Sequence, residues 1–143
     1  MRAVTLAELP DINPITAQII KAEVEVHRLL GPGLLKSVYL ACLLHELQGA
    51  NLKLETEKKV PVHYKNVTLD CGFRVDMIVE AKVVVEVKSI AQVAPIHRAQ
   101  LLTYLVLTGC EAGLLINFNV PVLKDGLMRV LNTRRPSVSE NRI

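Results

Sequence analysis

Asp76, Glu86 and Lys88 are the residues of this chain whose types and spacing best fit a chemical role. They lie on two predicted β-strands, 69–79 and 83–88, which are joined by a turn over residues 80–82. Pairing across that turn places Asp76 opposite Glu86, with Cα atoms roughly 4.5–5.5 Å apart. We therefore predict that the two carboxylates converge, with Lys88 on the same side of the sheet.

Two carboxylates at this spacing need a compensating group. An apolar run such as 83–87 is typical of a central strand covered on both faces, where an unpaired charge costs several kcal/mol. Carboxylate oxygens without thiolate or imidazole partners favour hard cations, so Mg²⁺ or Mn²⁺ is the predicted ligand. An ion pair on a water-facing sheet, Glu86 with Lys88 or Asp76 with Arg74, explains the same charges. Spacing alone does not separate these two interpretations.

The remaining elements place the two strands in an α+β fold. We predict helices at 13–30, 34–48 and 96–108, a strand at 52–64 with a hairpin tip at 65–66, a buried strand at 112–118 and an edge strand at 127–131. The order is α-α-β-β-β-α-β, a mixed central sheet with three antiparallel strands plus a further strand, flanked by helices. One core face is predicted for the first central strand, formed by Leu69, Cys71, Phe73, Val75, Met77 and Val79.

Composition indicates one soluble, cytoplasmic domain. The chain has 143 residues, half of them hydrophobic, which predicts a single domain over 1–132 and a flexible polar tail over 133–143. Its net charge of +3 permits an anionic partner without requiring one. Cys42, Cys71 and Cys110 lack CxxC spacing and lie in apolar contexts, which predicts reduced thiols. Neither a signal-peptide pattern nor an apolar run of about 18 residues is present.

Two family resemblances follow from these motifs. Asp76, nine further residues and then Glu86-Val87-Lys88 resemble the D...ExK signature of the PD-(D/E)xK nuclease superfamily, whose common core has the order α-β-β-β-α-β. Within residues 14–131, the chain resembles the bacterial GxxExxY proteins, a branch of that superfamily, in the segments PITAQII, EVHRLLGPGLL, LDCGFRVDMIV, VEVKSI, HRAQLLTYLVLTG and GLLINFNVP. The resemblance implies a restriction-endonuclease-like core.

Position 36 departs from the motif that names the GxxExxY proteins. Gly33 and Tyr39 match that motif, but Lys36 stands where the motif has a glutamate. If Lys36 points at the site, its ammonium can pair with Asp76 or Glu86 and weaken metal binding. If Lys36 extends into solvent, the two carboxylates and the Val87 carbonyl can still hold one Mg²⁺ together with several waters.

The superfamily resemblance implies metal-assisted hydrolysis of nucleic-acid phosphodiesters. In that mechanism Asp76 and Glu86 bind Mg²⁺ or Mn²⁺, and Lys88 stabilises the developing charge or orients the nucleophile. Gln100 and Tyr104 match the QxxxY pattern of the RecB-like nucleases, in which the pair reaches toward the active site and DNA. An amphipathic helix also produces such a pair by chance.

Three classes of function remain open for the chain. Arg74, on the predicted face of Asp76, could bind phosphate or neutralise Asp76. His45-Glu46 lacks the second histidine of HExxH, no P-loop or GxGxxG is present, and five aromatic residues leave little for base stacking. The candidates are a Mg²⁺-dependent nuclease, a nuclease-derived protein that binds nucleic acid through a weakened site, and a structural or oligomerising domain. DNA is favoured over RNA, and a homo-oligomer stays open.

Overall fold

The computed structural model describes residues 12–70 and 73–133 and forms three α-helices and seven β-strands from them. In chain order these are α1 (Asn13–Leu30), α2 (Lys36–Gly49), β1 (Leu54–Lys59), β2 (Val62–Tyr64), β3 (Val67–Leu69), β4 (Arg74–Val79), β5 (Val83–Lys88), α3 (Pro95–Thr108), β6 (Ala112–Asn117) and β7 (Leu127–Leu131). A short 3₁₀ helix, Leu123–Gly126, precedes β7. The α+β class is therefore as predicted.

Five of the strands form one mixed sheet in the order β1-β4-β5-β6-β7. Neighbouring strands are antiparallel except β5 and β6, which run parallel from Val83 opposite Ala112 to Lys88 opposite Asn117. A parallel pair needs a long crossover connection, and α3 is that connection. The strand that carries Glu86 and Lys88 consequently lies in the middle of the sheet.

Helices cover both faces of this sheet. The buried side chains of α1 and α2 pack on one face of the sheet, in a cluster that includes Met77, Val79, Val83, Val85 and Val87. Leu101 and Leu105 of α3 pack on the other face, in a second cluster that includes Val75, Ile78 and Val84. Because β5 is buried on both faces, its continuous apolar run is the pattern expected of a central strand.

One carboxylate interrupts the apolar stripe of α1. The buried residues of this helix recur at helical spacing and are Ile15, Thr16, Ile19, Ala22, Glu23 and Val26. Glu23 is fully buried, and within residues 12–70 and 73–133 neither of its carboxylate oxygens has a hydrogen-bond partner. Burial raises the pKa of this carboxyl to about 8, because the protein interior disfavours the charged form.

The long strand predicted over residues 52–64 is interrupted in the structure. β1 ends at Lys59, and Pro61 separates it from β2. Proline has no backbone N–H to donate to a strand ladder, so the pairing breaks there. Beyond the break, β2 and β3 pair only with each other and form a separate two-stranded ribbon, with the hairpin tip at residues 65–66 as predicted.

The prediction of one continuous core face over residues 69–79 is wrong. Val75 belongs to the cluster on the α3 side of the sheet, whereas Met77 and Val79 belong to the cluster on the α1–α2 side. The change occurs at Asp76, where β4 leaves the regular strand ladder. An interruption of the ladder at that residue lets the side chains on either side of it face opposite layers.

Several predictions concern residues outside the described ranges. Cys71 and residues 134–143 of the predicted tail are among these. Of the other two cysteines, Cys110 is buried and Cys42 is half-buried, each with a free thiol. None of the helices in the described part of the chain has the length and apolar character needed to span a lipid bilayer.

Candidate functional site

Asp76 and Glu86 exchange hydrogen bonds with the backbone of each other's strand. Val79 lies opposite Val83 as predicted, and the antiparallel ladder continues to Met77 opposite Val85. At the next position the side chains replace the backbone carbonyls. The Asp76 amide donates to Glu86 Oε1 at 2.9 Å, and the Val87 amide donates to Asp76 Oδ2, also at 2.9 Å. The two carboxylates therefore converge between β4 and β5.

The other neighbour of β4 is also irregular at this point. The register between β1 and β4 runs through Thr56 opposite Met77 and resumes with Lys58 opposite Val75, so that Glu57 and Asp76 fall between the paired positions. Glu57 has a φ of 47°, a left-handed conformation that L-residues rarely adopt. Asp76 thus falls outside the residue pairing with both neighbouring strands, and its carboxylate binds the Val87 amide and Lys36.

Lys36 interacts directly with this carboxylate. Its Nζ lies 2.9 Å from Asp76 Oδ1, and the Lys36 and Asp76 side chains are 43% and 14% exposed. Of the two alternatives for Lys36, the structure adopts the one in which the ammonium points at the site. Within the described ranges neither predicted surface pair, Glu86 with Lys88 or Asp76 with Arg74, forms a salt bridge.

The start of α2 is held in place by contacts that bring Lys36 to the sheet. The Tyr39 hydroxyl donates to Gly31 O at 2.6 Å and accepts from the Leu34 amide at 3.1 Å. The buried Tyr39 ring stacks on Phe118 with 4.5 Å between ring centroids. In addition, the Ser89 hydroxyl donates to Leu34 O. The loop that precedes Lys36 is therefore fixed to the end of β5, next to Lys88.

Glu86 is the buried member of the carboxylate pair. It is 5% exposed, and its pKa is raised to about 7, first by burial and second by repulsion from Asp76. The hydrogen bond from the Asp76 amide and the positive charges of Lys36 and Lys88 act in the opposite direction. A carboxyl with a pKa near 7 holds its proton about half of the time at neutral pH, so the net charge of the site depends on pH.

Replacing Glu86 with glutamine should stabilise the protein at neutral and basic pH. The folded-state pKa of about 7 lies above the ordinary value of 4.5 for a glutamate side chain, so wild-type stability falls as pH rises through this window. Glutamine does not ionise but forms weaker hydrogen bonds than a carboxylate. We expect Glu86→Gln to match the wild type near pH 4.5 and to exceed it by about 1 kcal/mol at pH 8.

Urea unfolding over this pH range, without divalent metal, measures the effect. A large drop in the stability of Glu86→Gln at pH 7 would instead indicate that the carboxylate acts as one half of a structural ion pair.

The other predicted site residues divide into two groups. Tyr104 lies near the carboxylates: burial, and then repulsion from Glu86 and Asp76, raise the pKa of its phenol, and its ring packs edge-on against Phe73 at 4.5 Å. Lys88 is half-buried and acts electrostatically on Glu86. Their catalytic roles stay predictions.

Gln100 and Arg74 lie at the periphery. Gln100 is exposed on α3, one helical turn before Tyr104. Arg74 is exposed, and its guanidinium is 3.9 Å from Glu57 Oε2. The alternative in which Arg74 neutralises Asp76 is therefore not the arrangement observed, and Lys36 fills that role. A role of Arg74 in binding phosphate stays a prediction.

Two residues that position the site were missed by the sequence analysis. Ser89 carries no motif and is found only through its bond to the distant loop. Asn117 is 2% exposed; its side chain accepts from the Ile90 amide at 3.1 Å and donates to the Ile90 carbonyl at 3.0 Å. It thereby fixes the segment that follows Ser89. A polar residue at the end of the apolar run 112–116 was the signal that could have identified Asn117.

The donor atoms at this site do not fit a divalent cation as they are arranged. Asp76 Oδ1 is bound by an ammonium, Asp76 Oδ2 and Glu86 Oε1 each accept a backbone N–H, and Glu86 is partly protonated at neutral pH. Mg²⁺ demands near-octahedral geometry and in proteins usually binds one or two carboxylates whose oxygens are open to it, together with waters. Among the residues of 12–70 and 73–133, no three His, Cys, Asp or Glu side chains converge as a possible ligand set.

Comparison with known proteins identifies one similarity. A family model described as the PD-(D/E)XK nuclease superfamily matches residues 13–130. This span begins at the first residue of α1 and includes Lys36, Asp76, Glu86 and Lys88. Neither the curated proteins nor the solved structures yield a significant match to the chain.

Proposed function

This chain belongs to the PD-(D/E)XK nuclease superfamily, and from that premise we propose that it is a nuclease-like protein that binds nucleic-acid phosphodiesters at a site with weakened metal affinity. The mixed five-stranded sheet flanked by helices is consistent with the restriction-endonuclease-like fold of that superfamily, as predicted. The observation that carries the proposal is the 2.9 Å contact between Lys36 Nζ and Asp76 Oδ1.

Charge at the site supports binding of an anion. Lys36 and Lys88 supply two ammonium groups, while Glu86, with a pKa of about 7, is partly neutral near pH 7. The site then carries more positive than negative charge in that pH range. A phosphodiester is an anion that ammonium groups recognise through charge-assisted hydrogen bonds.

Each residue has a defined part in this proposal. Asp76 holds Lys36 in place, so that the exposed part of that side chain faces the ligand. Lys88 contributes a second positive charge from the neighbouring strand. The Tyr104 phenol is protonated at neutral pH, because its ordinary pKa of 10.0 is raised further by burial, and it can donate that proton in a hydrogen bond to a phosphate oxygen. Superfamily enzymes usually use Mg²⁺ or Mn²⁺, and hydrolysis by this chain should be slow because Lys36 opposes such an ion.

We further propose that the chain belongs to the GxxExxY branch of the superfamily. Gly33 and Tyr39 support this placement, because they keep the spacing of the naming motif around Lys36. In the structure Tyr39 closes the loop that contains Gly33, through its bonds to Gly31 and Leu34. The glycine and tyrosine of the motif therefore have a structural role in this loop, and that role does not depend on the residue at position 36.

Salt dependence of oligonucleotide binding tests the proposed function. Each phosphate contact contributes about 0.7 to 0.9 to the slope of log affinity against log salt concentration. We expect Lys88→Ala to reduce the slope of the wild type by about that amount. Fluorescence anisotropy with a labelled DNA oligonucleotide, titrated at several salt concentrations, provides the measurement.

Lys21→Ala is the matched control for this experiment. Lys21 is an exposed lysine of α1 that lines the same surface cavity as Gly49, at the far end of α2 from Lys36. The 14 residues of α2 span about 20 Å at 1.5 Å per residue, so Lys21 is remote from the site. A slope near zero for the wild type, or an equal loss in both lysine variants, would contradict the proposal and favour a structural or oligomerising domain.

A further inference from the structure

An exposed apolar surface adjoins the two site lysines. It is formed by Leu34, Leu35 and Val38, which we term the loop wedge, and these side chains are 38%, 74% and 39% exposed. Leu35 directly precedes Lys36 in the chain, so their Cα atoms are about 3.8 Å apart. Leu34 is bonded through its carbonyl to Ser89, the residue after Lys88. The backbone of the wedge therefore adjoins Lys36 directly and lies close to the residue that follows Lys88.

Stability does not explain why leucine occupies position 35. Leu35 is the N-cap of α2 and makes no side-chain capping bond. Serine, threonine, aspartate and asparagine stabilise a helix at this position, whereas leucine is disfavoured. Leaving the same side chain largely in water adds no burial energy either. A residue that breaks a local rule without an evident gain in stability is a candidate for function.

The backbone that carries the loop wedge is held in place by hydrogen bonds and ring stacking. The Tyr39 hydroxyl and the Ser89 hydroxyl both bind the loop backbone, and Tyr39 stacks on the buried Phe118. The loop turns through Gly31 and Gly33, with φ of 66° and 99°, a conformation that favours glycine. An apolar side chain on a loop that is already rigid can contact a ligand without a large loss of conformational entropy.

We propose that the loop wedge contacts an unstacked base beside the phosphodiester held at Lys36 and Lys88, so that the preferred ligand is single-stranded or locally opened nucleic acid. This inference rests on the proposed function. A phosphate bound between the two lysines brings its attached nucleoside next to Leu35. Proteins that unstack base steps insert apolar side chains such as leucine in this way. Charge complementarity favours a base with its phosphate as the occupant, because Lys36 directly follows the wedge and Lys88 directly precedes Ser89, to which the wedge is bonded.

Paired oligonucleotides that contain 2-aminopurine provide the test. This base brightens when it loses its stacking neighbours, so its fluorescence reports unstacking separately from binding. We expect the wild type to bind the single strand at least about tenfold more tightly than the matching duplex, with a rise in fluorescence, because the duplex must first be unstacked.

Leu35→Ser should separate the role of the wedge from folding. Serine caps helices, so we expect the melting temperature to rise by about 3 °C. Single-strand affinity should nevertheless fall by about tenfold, and the rise in fluorescence should disappear. Val24→Ser is the matched control, because Val24 is an exposed valine of α1, 48% accessible, outside the loop. It should bind as the wild type does.

The outcomes distinguish the inference from the proposed function. Salt-dependent binding with equal affinity for single strand and duplex overturns the inference about the wedge and leaves the proposed function standing. Unchanged affinity in Leu35→Ser has the same consequence. Failure of the wild type to bind either oligonucleotide overturns both. Light scattering that shows a dimer in the wild type and a monomer in Leu35→Ser, with nucleic-acid affinity unchanged, assigns the surface to a second copy of the chain and overturns the wedge.

Discussion

The Lys36→Glu variant is expected to bind Mn²⁺ or Mg²⁺ at least about tenfold more tightly than the wild type, equivalent to about 1.4 kcal/mol. In the wild type the Lys36 ammonium lies 2.9 Å from Asp76 Oδ1, where it repels a cation and occupies a ligand oxygen. Glutamate at this position frees that oxygen and adds a third carboxylate. Any phosphodiesterase activity should rise in parallel.

The expected size follows from Coulomb's law. Two unit charges 4 Å apart interact by about 1 kcal/mol in water and by about 4 kcal/mol at an effective dielectric constant of 20. Because the Lys36 side chain is 43% exposed, the lower end of this range applies. Reversing the charge changes the interaction twice, once by removing the repulsion and once by adding the attraction, so a tenfold gain is a conservative expectation.

Two further variants separate the causes of that gain. Lys36→Gln removes the positive charge without adding a carboxylate and should give an intermediate affinity. Asp76→Ala combined with Lys36→Glu should lose the gain, because Asp76 supplies the released oxygen. Isothermal titration calorimetry with Mn²⁺ provides the measurement. Equal metal affinity in Lys36→Glu and the wild type would show that Lys36 does not control the site.

Glu23→Gln is expected to raise the free energy of unfolding by about 3 kcal/mol at pH 7. Glu23 is fully buried in α1, and no group in the described part of the chain forms a hydrogen bond with its carboxylate oxygens. Its folded-state pKa of about 8 lies above the ordinary value of 4.5 for a glutamate side chain. The folded protein therefore holds a proton that the unfolded chain releases between these two values. Stability is lost as pH rises through this window.

The pH dependence gives this prediction its sign. Below pH 4.5 the carboxyl is protonated in both the folded and the unfolded state, so the glutamine variant and the wild type should be equally stable. From there to pH 8 the difference between them should grow by about 1.4 kcal/mol per pH unit. Urea unfolding at several pH values from 4 to 8 measures the two curves.

Glu25→Gln is the control on the same helix. Glu25 forms an exposed ion pair with Arg28, whose hydrogen bond lowers the Glu25 pKa. Pairs of this kind contribute little to stability, so the control should keep the pH slope of the wild type. If Glu23→Gln also keeps that slope, the Glu23 carboxylate is solvated or paired in solution and the buried-acid interpretation fails.

Local patterns in the sequence were sufficient to predict the fold class, the three helices and the strand register at the site. The period-two alternation and the turn at residues 80–82 place Val79 opposite Val83, and that pairing brings Asp76 and Glu86 together. Such predictions succeed because side chains alternate along a strand and a short turn permits few registers. The spacing of Asp76, Glu86 and Lys88 therefore carried the resemblance to nucleases.

Local patterns failed where a distant contact or a single irregular residue changed the outcome. The sequence indicated neither the left-handed backbone of Glu57 nor the change of sheet face at Asp76. The direction of Lys36 stayed open for the same reason. Lys36 and Asp76 are far apart in the chain, and they meet because Tyr39 and Ser89 fix the loop before α2 to the end of β5.

The sequence by itself thus determined the fold class, the register of the central hairpin and the convergence of the two acids. Only the tertiary structure decided that an ammonium occupies the place beside Asp76 and that Glu23 is buried with no hydrogen-bond partner among the described residues. The physical reason is one of range. Periodicity shows which face of its own helix or strand a residue occupies. The position of the charged end of a long side chain depends instead on how that element packs against others, which the periodicity of neither element describes.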